Sequence, residues 1–255
     1  MSLFTPGLVS ITFRKLIPAD VVTLVSKAGL FGIEWGGDVH VPHGDVKTAA
    51  TVRRLTEAAG LSTTAYGSYY RVGGDDSPEF DAVLDTAVAL GAPVIRVWAG
   101  NRDSADADEA YVDHVAADAH RIADLARAAG IIVAFEYHRG TIADKASATF
   151  ALLARANHPA LRTLWQPSVT ETVTERLASL EAVSEILAHV HVFQWKATDR
   201  LPLSDGDAEW RNYLDILVKR GVPASLLIEF VAGDEPEAFL ADARTLRNWI
   251  AQAEG

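Results

Sequence analysis

At 255 residues, with 49% hydrophobic and 22% charged side chains, the chain is long enough to bury a full core and leaves no room for a long disordered region. Its net charge of -11 argues against a nucleic-acid partner, whose binding needs Lys and Arg against phosphates, and the absence of cysteine excludes disulfides and thiolate metal sites. No apolar run approaches the length of a membrane span, and the opening Met-Ser-Leu-Phe-Thr-Pro-Gly lacks a basic region followed by an apolar one, so the expectation is a cytoplasmic protein with no membrane partner.

The predicted elements alternate from the start. Gly7 to Phe13 reads as a strand, and Pro18 to Gly29 has helical apolar spacing with a terminating Gly. The same unit recurs as Phe31 to Gly36 before a helix over Val46 to Ala59, and as Ser62 to Gly67 before one over Glu79 to Leu90. Pro93 to Ala99 precedes Glu109 to Ala129, and Ile131 to Tyr137 precedes Lys145 to Ala156. Three more units follow: Arg162 to Gln166 with Glu175 to Leu187, His189 to Trp195 with Glu209 to Lys219, and Ser225 to Phe230 with Pro236 to Gln252. Short β-branched strands alternating with helices specify parallel βαβ units, and eight of them in about 250 residues predict an α/β fold, a closed (β/α)8 TIM barrel forming one domain over residues 1–255. An open doubly wound sheet would carry a Gly-rich phosphate turn after its first strand, and Thr12 to Ile17 contains no glycine.

In such a barrel the chemistry gathers where the strands end. Strand five reads V-A-F-E-Y-H and delivers Glu136 and His138; a carboxylate closing an apolar strand points to a metal or a reacting substrate. Strand seven ends in His189, His191 and Trp195, strand eight in Glu229, and strand six in Trp165-Gln166. Glu136, His191 and Glu229 make a set of two carboxylates and an imidazole suited to a hard or borderline divalent ion, Mn²⁺ or Mg²⁺ with Zn²⁺ as an alternative, and Gln166 is placed to complete it. Between the two histidines, His191 lies nearer the open end and is taken as the ligand, His189 as a supporting residue. Four of the six tryptophans, Trp35, Trp98, Trp165 and Trp195, fall at strand ends and, with Tyr66 and His138, predict a pocket for a carbohydrate-sized ligand, although large residues capping the barrel would look the same. Glu34 is expected on the pocket floor or in an ion pair with Arg96. The pattern Asp38-x-His40-x-x-His43 is either a second ligand set or exposed loop histidines.

Strand for strand, G-I-E-W-G-G-D, V-I-R-V-W-A-G, V-A-F-E-Y-H, H-V-H-V-F-Q-W and L-L-I-E-F resemble the sugar phosphate isomerase/epimerase family with the xylose isomerase-like barrel, over essentially the whole chain. The resemblance implies a sugar isomerase or epimerase in which Glu136, Gln166 at the family's Asp position, His191 and Glu229 hold one divalent ion. It also implies that Glu136 and Glu229 exchange the proton of the reacting carbon through an enediolate. Arg200 falls in the loop where the family often places a substrate-contacting Arg, and relatives often pair as homodimers. Gln166 departs from the family pattern, which weakens the metal site. The alternatives are a dehydratase of a sugar acid or inositol derivative and a non-catalytic sugar-binding barrel. Arg71, Arg102, Arg139, Lys196 and Arg200 sit in βα loops, either to accept a phosphate or carboxylate or as surface charges.

Overall fold

A computed structural model describes residues 2–255. The described residues form a closed parallel barrel: β1 (Phe4–Val9), β2 (Gly32–Gly36), β3 (Ser62–Arg71), β4 (Val94–Trp98), β5 (Ile132–Phe135), β6 (Leu161–Trp165), β7 (Leu187–Val192) and, after a small hairpin of β8 (Gln194–Lys196) and β9 (Asp199–Leu201), β10 (Ala224–Ile228). Neighbours run in the order β1, β10, β7, β6, β5, β4, β3, β2, so no barrel edge is left open. The crossovers are α1 (Pro18–Ala28), α2 (Val46–Ala58), α3 (Phe80–Leu90), α4 (Glu109–Ala128), α5 (Ala146–Ala156), α6 (Val173–Val183), α7 (Asp207–Arg220) and α8 (Pro236–Ala253). The predicted (β/α)8 class is the one observed.

Local sequence explains the punctuation. Pro18 opens α1 where its missing N–H is no loss, and Gly29 closes it at φ 67°, a conformation that a side chain would strain. Thr172 and Glu175 cap α6 reciprocally, each side chain taking the other's backbone N–H. The strands are apolar on both faces, one toward the barrel interior and the other toward the helices, and each fully buried Val, Leu or Ile contributes roughly 1.5–3 kcal/mol.

Three segments differ from expectation, and each shapes the site. The first strand begins at Phe4 and ends at Val9, because Ser10–Phe13 coils into a 3-10 turn instead of extending. β3 runs on to Arg71, but its register against β4 shifts between Gly67 and Arg71. β7 stops at Val192, and the segment predicted to end it, with Trp195, folds back antiparallel as the β8–β9 hairpin over the barrel mouth.

Candidate active site

Glu136 leaves β5 with its backbone N–H donated to Val97 O at 2.9 Å, and Glu229 leaves β10 with its own on Val192 O at 3.0 Å. Those bonds to the neighbouring strand hold both carboxylates at the mouth. With His191 of β7 they form a buried group whose ligand atoms all lie within 4.8 Å of one another. Glu136, Gln166 and Glu229 also line one cavity of about 240 Å³, smaller than the pockets that hold drug-sized ligands.

The donor set fits a divalent cation. Glu34 Oε2 accepts from His191 Nε2 at 3.0 Å, which puts the imidazole proton on Nε2 and leaves Nδ1, 3.3 Å from Glu229 Oε2, as the nitrogen open to a cation. Gln166 Nε2 donates to Tyr137 O at 3.0 Å; because that carbonyl can only accept, the amide is oriented and its Oε1 is left buried without a partner among the described residues. Two carboxylates, one imidazole nitrogen and one amide oxygen are donors that a hard or borderline divalent cation accepts.

A second layer holds these groups. Arg96 is 1% exposed; its Nε donates to Glu34 Oε1 at 2.6 Å and its Nη1 to Glu136 Oε2, which also accepts the Trp98 indole N–H. His189 Nε2 lies 3.0 Å from Glu34 Oε2 but off the hydrogen-bond direction. Burial disfavours charge on Glu34, yet Arg96 and His191 hold its carboxyl well below the usual range. Burial likewise opposes charge on Glu136, and Arg96, followed by His191, overcomes it and lowers the carboxyl. His189 is pushed down by burial. His191, with no ion beside it, is raised to about 10 because Glu229 and Glu34 outweigh its burial.

The remaining sequence-predicted residues divide. Trp98, His138 and Trp195 line the cavity, His138 stacked on Trp98 with centroids 5.5 Å apart. Trp35, Tyr66 and Trp165 do not. Glu34 and Trp35 are adjacent on β2 and so point to opposite faces; the carboxylate turns in and the indole packs outward, edge-on to His40 at 5.8 Å. Trp165 likewise faces the helices, donating to Ser179 of α6 at 3.0 Å, while the Tyr66 hydroxyl bonds to Val41 O and His43. Arg200 lies outside the cavity wall, paired with Asp234 and stacked over Phe230 at 4.2 Å. Asp38, His40 and His43 turn to Arg14, Ser10 and Tyr66 respectively and do not converge.

Several cavity residues were not singled out from sequence: Arg14, Tyr69, Phe193 and Phe230. Tyr69 and Phe230 have left-handed backbones, φ 56° and 57°, which bulky residues rarely adopt and which turn both rings into the site. Arg14 ties them together, donating from Nη2 to the Tyr69 hydroxyl at 2.9 Å and lying 5.9 Å from the Phe230 ring centroid. No periodicity signals these positions; the register shift in β3 and the turn after β10 are visible only in three dimensions.

A family model described as xylose isomerase-like TIM barrel matches residues 22–249. No curated protein matches the chain in sequence. Among solved structures the chain is similar to the probable 3-DHS dehydratase AsbF involved in petrobactin synthesis from Bacillus anthracis, with 17% identity, TM-score 0.81 and coverage of 96% of this chain and 99% of that one. It is also similar to D-allulose 3-epimerase from Methylomonas sp. (15% identity, TM-score 0.78, 98% and 99% covered). A xylose isomerase-like TIM barrel protein from Mycobacterium smegmatis in complex with magnesium gives 14% identity, TM-score 0.78 and full coverage of both chains, 100% each. At these identities the likeness is one of fold.

Proposed function

The chain belongs to the xylose isomerase-like TIM barrel family, and from that premise we propose that it isomerises or epimerises a small carbohydrate or sugar derivative, taking a proton from the carbon beside a carbonyl and passing through an enediolate. The observation that carries this reading is the buried meeting of Glu136, His191 and Glu229, with Glu136 and Glu229 on the wall of a cavity of about 240 Å³.

Glu136, Gln166, His191 and Glu229 are the residues that would hold a divalent ion, Mn²⁺ or Mg²⁺ by their donor types. When bound, such an ion supplies Lewis-acid stabilisation of the negative oxygen that develops as the proton leaves. The chain's own residues do the rest. Glu136 and Glu229 stand on β5 and β10, with β6 and β7 between them around the barrel, so they reach a bound sugar from different sides. One accepts the proton and the other returns it to the opposite face. Arg96 and Trp98 fix one oxygen of Glu136 and leave the other free. Trp98, Trp195, Phe193 and Phe230 give the cavity an aromatic lining suited to sugar C–H groups.

A dehydratase acting on a sugar acid begins with the same abstraction and then expels a hydroxyl. The fold likeness to a probable 3-DHS dehydratase and the imidazole of His138, a proton-transfer group at the cavity wall, favour it as the second reading. A binding barrel without turnover would take up ligand and exchange nothing.

The test is metal analysis of the purified protein, followed by proton NMR of ketoses and sugar acids in deuterium oxide with the metal-loaded protein. Solvent deuterium should enter one carbon position, and Glu229→Gln should lower that rate by at least about a thousandfold while circular dichroism stays unchanged. Product spectra separate epimerisation from loss of water. Undiminished exchange in Glu229→Gln would remove Glu229 from the mechanism.

A further inference from the structure

We propose that the substrate carries a carboxylate, and that Arg139 is the group that receives it. The inference rests on the cation-centre reading above, which assigns Glu136, Gln166, His191 and Glu229 to the ion.

With those four residues assigned, the hydrogen-bonding capacity left on the cavity wall is weighted toward donors. Among the described residues, Arg96 Nη2 and the indole N–H of Trp195 are buried without an acceptor. The Tyr69 hydroxyl accepts from Arg14 and has its own proton to give. Tyr137, also on the wall, has already given its proton to Glu171. The acceptors that remain are the Nε2 of His138, whose Nδ1 donates to Arg139 O, and the Ser168 hydroxyl, which is already engaged with Thr170. A neutral sugar brings as many O–H donors as acceptors and would leave part of its protons unmatched here. A carboxylate brings acceptors only.

Charge points the same way. Of the guanidinium groups on this wall, Arg14 is neutralised by Asp38 at 3.0 Å, and Arg96 by Glu34 and Glu136. Among the described residues the third, Arg139, has no hydrogen bond or ion pair from its side chain, and it is exposed on the loop that follows Glu136. A free guanidinium at the mouth of a small cavity presents a planar fork that matches a carboxylate through two parallel N–H bonds. Phosphate is the poorer match. Barrels of this class commonly bind phosphate at the loops after the last two strands, and here that position is taken by Arg200 already paired with Asp234.

The experiment compares manganese-loaded wild-type protein, Arg139→Gln and Arg139→Lys by titration calorimetry. The ligands are hexuronates and 2-ketoaldonates, their neutral aldose and ketose counterparts, and fructose 6-phosphate, with deuterium exchange followed on the same compounds. Acids should bind at least about tenfold tighter than the matched neutral sugars; Arg139→Gln should bring that ratio toward one, and Arg139→Lys should restore part of it. Neutral sugars bound as tightly as acids, a ratio indifferent to Arg139→Gln, or no binding of any compound at millimolar concentration would overturn the proposal. A preference for the phosphate ester over the acids would overturn the carboxylate assignment. Exchange on neutral sugars without acid preference leaves the isomerase reading standing. Acid binding that depends on Arg139, with no exchange on any compound, leaves the carboxylate site standing and removes the isomerase reading.

Discussion

Glu34 and His191 are both wholly buried and meet at 3.0 Å, carboxylate oxygen to Nε2. The contact sets the tautomer of the imidazole and turns its other nitrogen toward Glu229. Glu34→Gln removes the charge that holds this arrangement and should weaken Mn²⁺ binding by about 10- to 100-fold. Titration calorimetry of the chelator-stripped protein measures it; unchanged affinity would mean that His191 is oriented by packing alone.

The Arg96 guanidinium needs the space over Gly67. A Cβ at that position would lie 2.4 Å from Arg96 Nη2 and 2.8 Å from Glu34 Oε1. Gly67→Ala must therefore push the guanidinium off its partners, leaving buried carboxylates uncompensated, and should cost about 3–5 kcal/mol in denaturant unfolding. A loss below 1 kcal/mol, roughly the value of an exposed ion pair, would show that the site has room to adjust.

Metal uptake should release a proton. In the chelator-stripped protein His191 is held up to about 10 by Glu229 and Glu34 against its burial. The imidazolium's contribution to stability is fully present below about 6.5, the ordinary histidine value, and is lost as pH rises through about 10. Between those limits an ion must displace the proton, so affinity should rise with pH, by up to tenfold per unit. Calorimetry in buffers of different ionisation enthalpy counts the protons; none released at pH 7.5 would exclude a charged His191.

Asp242 is buried in α8, where it accepts the Leu203 N–H at 2.9 Å. Burial raises it to about 6; the Leu203 N–H opposes this and Asp205 adds to it. Since the folded value exceeds the unfolded one, ionisation opposes folding, and the stability present below about pH 4 is lost as pH rises through about 6. Asp242→Asn keeps an acceptor for Leu203 without the charge. It should stabilise the protein by about 1–3 kcal/mol at pH 8 and by little at pH 4. Thermal melts at the two pH values check the difference.

What could be read from sequence depended on whether a residue's physical need is visible one position at a time. The barrel followed from the helix stop at Gly29 and from apolar strands alternating with helices. Glu136, His191 and Glu229 stood out because charge at the end of an apolar strand requires a partner. Side-chain direction was less legible. A strand buried on both faces has no polar alternation to fix its parity, so Trp35 and Trp165 read as pocket residues although they pack outward against His40 and Ser179. Tyr69 was hidden by the register shift in β3, and the double pairing of Arg96 needed three strands to be in place before it existed.

The left-handed backbones of Tyr69 and Phe230 set a limit on how this protein can be made sturdier. Each such residue costs on the order of 1–3 kcal/mol, and glycine would adopt the same angles without strain. Glycine at either position would release that strain but delete a ring packed against Val9, Ile11 and Leu227. Heat resistance sought there would trade relief of backbone strain against lost packing, and every such exchange would take down an aromatic wall of the cavity.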